Sequence, residues 1–142
     1  MNNCVIANNC SSEIGGAINN YKSTVYLMNT TVTGNVTVKG GAYFGGGIGI
    51  NSTEGFYAVN CYFGDNYYIS GTTKNVSDIG LYKSSNPATL IHCIYNGVGV
   101  SGTATNLTLT ECYNDAANAA ASYREDGILS GTSGTTAAFS HP

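Results

Sequence analysis

Apolar and polar residues alternate in short runs along this chain, and the runs recur. Val25-Tyr26-Leu27-Met28-Asn29 is answered 31 positions on by Phe56-Tyr57-Ala58-Val59-Asn60, and then by Ala88-Thr89-Leu90-Ile91-His92 and Leu107-Thr108-Leu109-Thr110-Glu111. The first and third residues of each run are apolar, which is the period of a strand that buries one face. A second run follows paired glycines. Gly15-Gly16-Ala17-Ile18-Asn19-Asn20 aligns, also at 31, with Gly46-Gly47-Ile48-Gly49-Ile50-Asn51, and Ile79-Gly80-Leu81 and Val98-Gly99-Val100 continue the series. Asn3-Cys4-Val5-Ile6-Ala7-Asn8-Asn9 reads as the back half of a further unit. Gly127-Ile128 with Ala137-Ala138-Phe139-Ser140-His141 reads as a partial last copy.

One unit of this size cannot bury its own apolar face, so units must stack on one another. The expected fold is therefore all-β: a right-handed parallel β-helix of about four to five coils in one domain over 1–142. Residues 3–115 are its most repeat-like part, and 116–142 hold an irregular segment, with one helical turn at 116–121, before the partial last coil. Each coil is expected to hold two strand-like pieces, one after the Gly-Gly and one at the V-x-L-x-N pattern. Connections of variable length fall at 10–14, 36–45 and 67–77. The predicted inward columns are Val25, Phe56, Ala88, Leu107 and Ala137, then Leu27, Ala58, Leu90, Leu109 and Phe139, then Val32, Phe63 and Tyr95. Coils spaced at about 4.8 Å stack each column continuously.

Composition narrows the function. Only 9% of the 142 residues are charged and the net charge is -3, which offers no basic footprint for nucleic acid. No apolar run approaches the roughly 18 residues of a membrane span, and Met1-Asn2-Asn3-Cys4 lacks the basic start and apolar stretch of an export signal. Asn, Thr, Ser, Gly and Tyr cover the surface instead, a palette suited to strands and tight turns.

Two short motifs carry a resemblance. Gly15-Gly16-Ala17-Ile18 and Gly40-Gly41-Ala42-Tyr43 fit G-G-A-[ILVY], while Phe63-Gly64-Asp65-Asn66 fits F-x-x-N, with softer versions at Val32-Thr33-Gly34-Asn35 and Ile6-Ala7-Asn8-Asn9. Over residues 3–112 the chain thereby resembles the β-helical repeat of chlamydial polymorphic outer-membrane proteins and related adhesin-like proteins. That resemblance implies a surface-displayed or secreted β-helix used for adhesion or assembly.

Candidate chemistry is sparse. Cys4, Cys61, Cys93 and Cys112 share one column, with Thr30 in the same place between them. Stacked thiols are expected there and a Cys61–Cys93 disulfide is the alternative, Cys4 and Cys61 being two coils apart. Asn3, Asn29, Asn60, His92, Glu111 and, on the last coil, His141 occupy the corner before that column. A side-chain ladder serving the turn is expected, and a two-His, one-carboxylate metal site at His92, Glu111 and His141 is the sharper alternative. No cofactor is expected. The acids Glu13, Glu54, Asp65, Asp78, Glu111, Asp115, Glu125 and Asp126 are scattered, and Arg124 is the lone arginine, which argues against an enzyme. N-x-S/T sequons, those at Asn29, Asn35, Asn51, Asn75 and Asn106 among them, are read as a by-product of an Asn- and Thr-rich repeat. Eleven tyrosines, Tyr62, Tyr67, Tyr68 and Tyr113 among them, supply a contact surface for glycans or proteins.

The expected function is a non-catalytic structural, adhesin-like module of a cell-surface or extracellular protein. Its open coil ends are expected to associate into homo-oligomers or filaments, and its ligand to be a glycan or host surface. A carbohydrate-active enzyme of the polysaccharide lyase or hydrolase type, or a glycan-binding module, is the alternative.

Overall fold

The computed structural model describes residues 1–83, 85–114, 122–123 and 129–130. The chain opens with β1 (Val5–Ala7) and β2 (Cys10–Ser11). The next repeat supplies β3 (Ile18–Tyr21), β4 (Val25–Met28), β5 (Thr31–Thr33) and β6 (Val36–Thr37). After a single 3-10 turn at Ala42–Phe44 come β7 (Ile48–Asn51), β8 (Phe56–Val59), β9 (Tyr62–Gly64) and β10 (Tyr67–Ser70), with β11 (Thr73–Val76) added. Two shorter repeats follow. They give β12 (Ile79–Leu81), β13 (Ala88–Ile91) and β14 (Ile94–Tyr95), then β15 (Val98–Val100), β16 (Leu107–Thr110) and β17 (Tyr113–Asn114). β18 (Ser122–Tyr123) and β19 (Leu129–Ser130) pair antiparallel with each other.

The result is all-β, with four mostly parallel sheets that each gather corresponding strands of successive repeats. Their orders are β4-β8-β13-β16, β1-β5-β9-β14-β17, β3-β7-β12-β15 and β2-β6-β10-β11. Leu27 pairs with Ala58, Ala58 with Leu90 and Leu90 with Leu109, while Val25, Phe56, Ala88 and Leu107 pair in the same way. Leu27, Ala58, Leu90, Val32, Phe63, Ile48 and Ile79 have no exposed surface and share one core cluster. Volumes trade within a repeat: bulky Phe56 stands two residues from small Ala58, and its ring packs 6.4 Å from that of Phe63. Leu109 departs from its expected buried place. It is 42% exposed, because β16 has only β13 beside it among the described residues.

Each full repeat holds four short strands rather than two. Residues in the left-handed region cut the runs: Asn29 and Gly34 separate β4, β5 and β6, and Asn60 and Asp65 separate β8, β9 and β10. The register of the Gly-Gly run also differs from the sequence alignment. Ile18 pairs with Ile48, an offset of 30, so Gly15 corresponds to Gly45, both at positive φ (71° and 68°), and not to Gly46. Burying Ile18 and Ile48 on one face decides this, since a slip of one residue turns every side chain over. Asn20 then falls in the buried column beside Ile50. It survives there because its Nδ2 donates to Gly55 O at 3.0 Å and its Oδ1 accepts from Ser23 Oγ at 3.0 Å. Gly40-Gly41-Ala42-Tyr43 is no counterpart of Gly15-Gly16-Ala17-Ile18, because it leads into the 3-10 turn of a connection. The connection at 67–77 is a hairpin, β10 continuing β6 in parallel and β11 folding back on it. No described helix is long and apolar enough to cross a membrane. The helical turn at 116–121, Ala137, Phe139 and the rest of the last copy lie outside the described residues.

Candidate functional site

The corner column is a conformational column first. Asn3, Asn29, Asn60, His92 and Glu111 all adopt φ between 47° and 54°. Asn tolerates that region best among residues with a side chain, which explains its three appearances. The residue that follows carries a small donor, and the donor turns back to the carbonyl two residues earlier. Cys4 Sγ reaches Asn2 O at 3.3 Å, Thr30 Oγ1 Met28 O at 2.7 Å, Cys61 Sγ Val59 O at 3.3 Å, Cys93 Sγ Ile91 O at 3.2 Å and Cys112 Sγ Thr110 O at 3.3 Å. The cysteine column is thus a set of turn locks, buried at Cys61, Cys93 and Cys112, for which the buried Thr30 is the hydroxyl equivalent. Cys61 and Cys93 are free thiols. Burial pushes the Cys93 thiol well above the ordinary range, while hydrogen bonds from it hold Cys61 and Cys112 lower.

Outside the turn, the corner side chains form a broken ladder. Asn29 Nδ2 donates to Asn2 Oδ1 at 3.2 Å and Asn60 Nδ2 to Asn29 Oδ1 at 3.4 Å, but the buried Asn60 Oδ1 meets no donor. On the next two repeats His92 Nε2 and Glu111 Oε2 meet in a hydrogen bond. Of the three residues of the alternative metal site, these two meet and His141 lies outside the described residues. Among the described residues no three His, Cys, Asp or Glu side chains gather.

A second ladder, deeper than the first, joins the two motif families. Asn35 Oδ1 accepts from Asn9 N at 3.0 Å and Asn9 Nδ2 at 2.9 Å; Asn66 Oδ1 accepts from Asn35 N at 3.0 Å and Asn35 Nδ2 at 2.9 Å. Asp78 ends the series, its Oδ1 accepting from Asn66 N at 3.2 Å and Asn66 Nδ2 at 2.8 Å, and its Oδ2 from Asn96 N. The carboxamides also donate sideways to backbone, Asn35 to Ile6 O at 3.0 Å and Asn66 to Val32 O at 2.8 Å. Asn35, Asn66 and Asp78 have no exposed surface, so the sequon at Asn35 is sealed in the fold. Glycine lies against this ladder because nothing larger fits. A Cβ at Gly46 would sit 2.2 Å from the Tyr67 backbone nitrogen, and one at Gly16 would sit 2.7 Å from that of Val36. Val36 and Tyr67 directly follow the ladder residues Asn35 and Asn66. The Asn of F-x-x-N and the Gly-Gly of G-G-A are therefore two halves of one contact. The motif spacing was visible in the sequence, but nothing there showed that Asp78 closes the ladder.

Asp78 makes the ladder sensitive to pH. It has no cationic partner among the described residues, and burial raises its carboxyl to about 6 from an ordinary 3.8, against the opposing pull of the Asn66, Asn96 and Gly97 N–H groups. The folded state therefore binds this proton more tightly than the unfolded state does. The ionised group costs about 3 kcal/mol at pH 7, a penalty that fades as pH falls through 6 and is gone below 3.8. Urea unfolding at pH 7 and pH 4.5 is expected to show most of that gain, about 2 kcal/mol, on the acid side for the wild type and to lack it in Asp78→Asn.

Among the described residues, Glu13 pairs with Lys39, Glu111 with His92, and Asp65 occupies a left-handed turn, while Asp115, Arg124, Glu125 and Asp126 lie outside the described residues. Among the tyrosines, Tyr67 and Tyr68 are half-buried on β10, with Lys74 Nζ 4.5 Å from the Tyr67 ring, and Tyr62 is half-buried on β9. The exposed Tyr26 and Tyr57 stack at 4.9 Å on the outer face of β4 and β8. Compared with models of protein families, with curated proteins and with solved structures, the chain has no match.

Proposed function

We propose that this chain is a right-handed parallel β-helix of about four to five coils, serving as a non-catalytic, adhesin-like structural module at a cell surface or outside the cell. The observation that carries the reading is the in-register pairing of Leu27, Ala58, Leu90 and Leu109, matched in the other three sheets by strands that follow repeat order. A chain whose full repeats add one strand to each of four sheets, whose two shorter repeats add to three of them, and which shares one core is what winding requires. The resemblance to chlamydial polymorphic outer-membrane proteins gains a physical basis here, since the residues of both motifs meet in the buried ladder. A structural role fits the acids, because Asp78, Glu13 and Glu111 are each engaged by neighbours inside the protein.

Self-association follows from the edges. Among the described residues β3 pairs only with β7 and β15 only with β12, so each leaves a row of backbone donors and acceptors along one side. End-to-end contact between copies pairs such edges. Size-exclusion chromatography with light scattering, backed by negative-stain microscopy, is expected to show oligomers or filaments that grow with concentration. A monodisperse monomer at high concentration rules the association out.

A further inference from the structure

A groove of about 360 Å³ lies on the flank where β3, β7 and β12 end, lined by Tyr21, Lys22, Asn51, Thr53, Tyr82 and Lys83 above a floor of Ser52 and Asn86. Its symmetry comes from the repeat. Tyr21 pairs with Asn51, and Tyr82 follows the Leu81–Ile50 pair, so two Tyr-Lys steps flank Asn51-Ser52 from either side. The two tyrosine backbones are thus two interstrand spacings apart, about 9.5 Å.

The floor is built, not incidental. Asn86 is 1% exposed; its Nδ2 donates to Ser52 O at 2.9 Å and its Oδ1 accepts from Lys83 N at 2.9 Å. Ser52, at 2% exposed, accepts from Ser23 N at 3.0 Å and donates to Ser23 O at 2.8 Å through one hydroxyl. The backbone beside both lysines is therefore fastened to the central strand. Tyr82 is held from behind by Tyr43 and Phe44, with ring centroids 6.2 and 5.9 Å away.

Charge is concentrated here. The chain has five Lys and Arg residues in all, and two of them line this groove. No acidic side chain lines it, and neither Lys22 nor Lys83 has an ion-pair partner among the described residues, whereas Lys39 is paired with Glu13. On a protein of net charge -3, two cations in one hollow make a local reversal of sign. The walls add two aromatic rings and the hydroxyl and carboxamide groups of Thr53 and Asn51. Ligand pockets begin at roughly 300 Å³ and use a few fixed polar groups against an apolar wall.

We propose that this groove binds an acidic saccharide: a sugar ring against Tyr21 or Tyr82, its hydroxyls on Asn51 and Thr53, and its carboxylate between Lys22 and Lys83. The assignment deepens the reading of the chain as an interaction module. It uses side chains at the end of β3 and not the free backbone edge of that strand, so a protein that proves monomeric can still bind and one that assembles can still fail to.

The test uses the full chain, isotope-labelled, titrated with trigalacturonate, its methyl ester and inorganic phosphate. Trigalacturonate is expected to shift the amides of Tyr21, Asn51, Thr53 and Lys83 with a Kd below about 1 mM, the ester to bind at least about tenfold more weakly, and phosphate to leave those amides in place. Lys22→Gln with Lys83→Gln is expected to weaken trigalacturonate about tenfold while the unfolding midpoint holds, both side chains being exposed. Tyr21→Ala, at an exposed ring, reports the stacking arm separately. No shift at these amides at about 10 mM ligand, an equal response to ester or phosphate, or undiminished binding by the double variant overturns the proposal.

Discussion

Gly46→Val is expected to keep the chain from reaching its native state. The new Cβ would lie 2.2 Å from Tyr67 N and 2.5 Å from Tyr67 C and O, distances no real side chain tolerates, and every atom it meets is backbone. Relief requires β10 to move away from Gly46. That movement breaks the Tyr67–Val36 pairing and the hydrogen bond from Tyr67 N to Asn35 O at 3.0 Å, next to a ladder with no slack. The cost is more than about 4 kcal/mol, of the order of a small domain's whole stability. Gly97→Ala is the control. A Cβ there meets nothing closer than 3.5 Å, and the change is expected to stay within about 1 kcal/mol. Soluble yield and urea unfolding followed by circular dichroism separate the two outcomes.

The second large effect is expected from Asn66→Leu, a change that keeps the branching and the number of heavy atoms and removes the polarity. Asn35 N loses its acceptor, Asn35 Nδ2 loses one of three, Val32 O loses a donor at 2.8 Å, and Asp78 loses the Nδ2 donor at 2.8 Å. All of these groups are buried, so water cannot replace what is lost, and the expected loss is about 4 kcal/mol. The signature is its pH dependence. Removing a donor from the Asp78 carboxylate raises its pKa further above about 6, so the deficit is expected to shrink as pH falls from 7 to 5. Asn9→Leu, at the exposed end of the same ladder, is expected to cost under about 1 kcal/mol. Equal losses at Asn9 and Asn66, or a deficit at Asn66 that ignores pH, contradict this account of the ladder.

Much of the architecture is legible from side-chain spacing. The columns through Leu27, Ala58 and Leu90 and through Val25, Phe56 and Ala88 pair as the alternation predicts. The corner at Asn29, Asn60, His92 and Glu111 recurs with one backbone conformation because a left-handed residue must end each run of that sheet. The cysteine column was legible as a column, but its use was not. That Cys61 and Thr30 do the same work follows from a hydrogen bond to the carbonyl two residues back, and spacing alone does not contain it. The alignment of Gly15 with Gly46 failed for a related reason. Matching letters favoured one offset, and burial of Ile18 on Ile48 favoured the other.

What the sequence determined by itself is whatever recurs locally: strand periodicity, the residues able to hold positive φ, and the distance from one repeat to the next. These depend on backbone sterics and on which side chains avoid water, and both act within a few residues. The tertiary structure decided what insertions and stacking bring together from far apart. Asp78 arrives beneath Asn66 only because the β10–β11 hairpin consumes the residues between them, and Lys22 reaches the same groove as Lys83 only because two full repeats intervene. Such meetings depend on the length and path of the chain between the partners, so no local pattern encodes them.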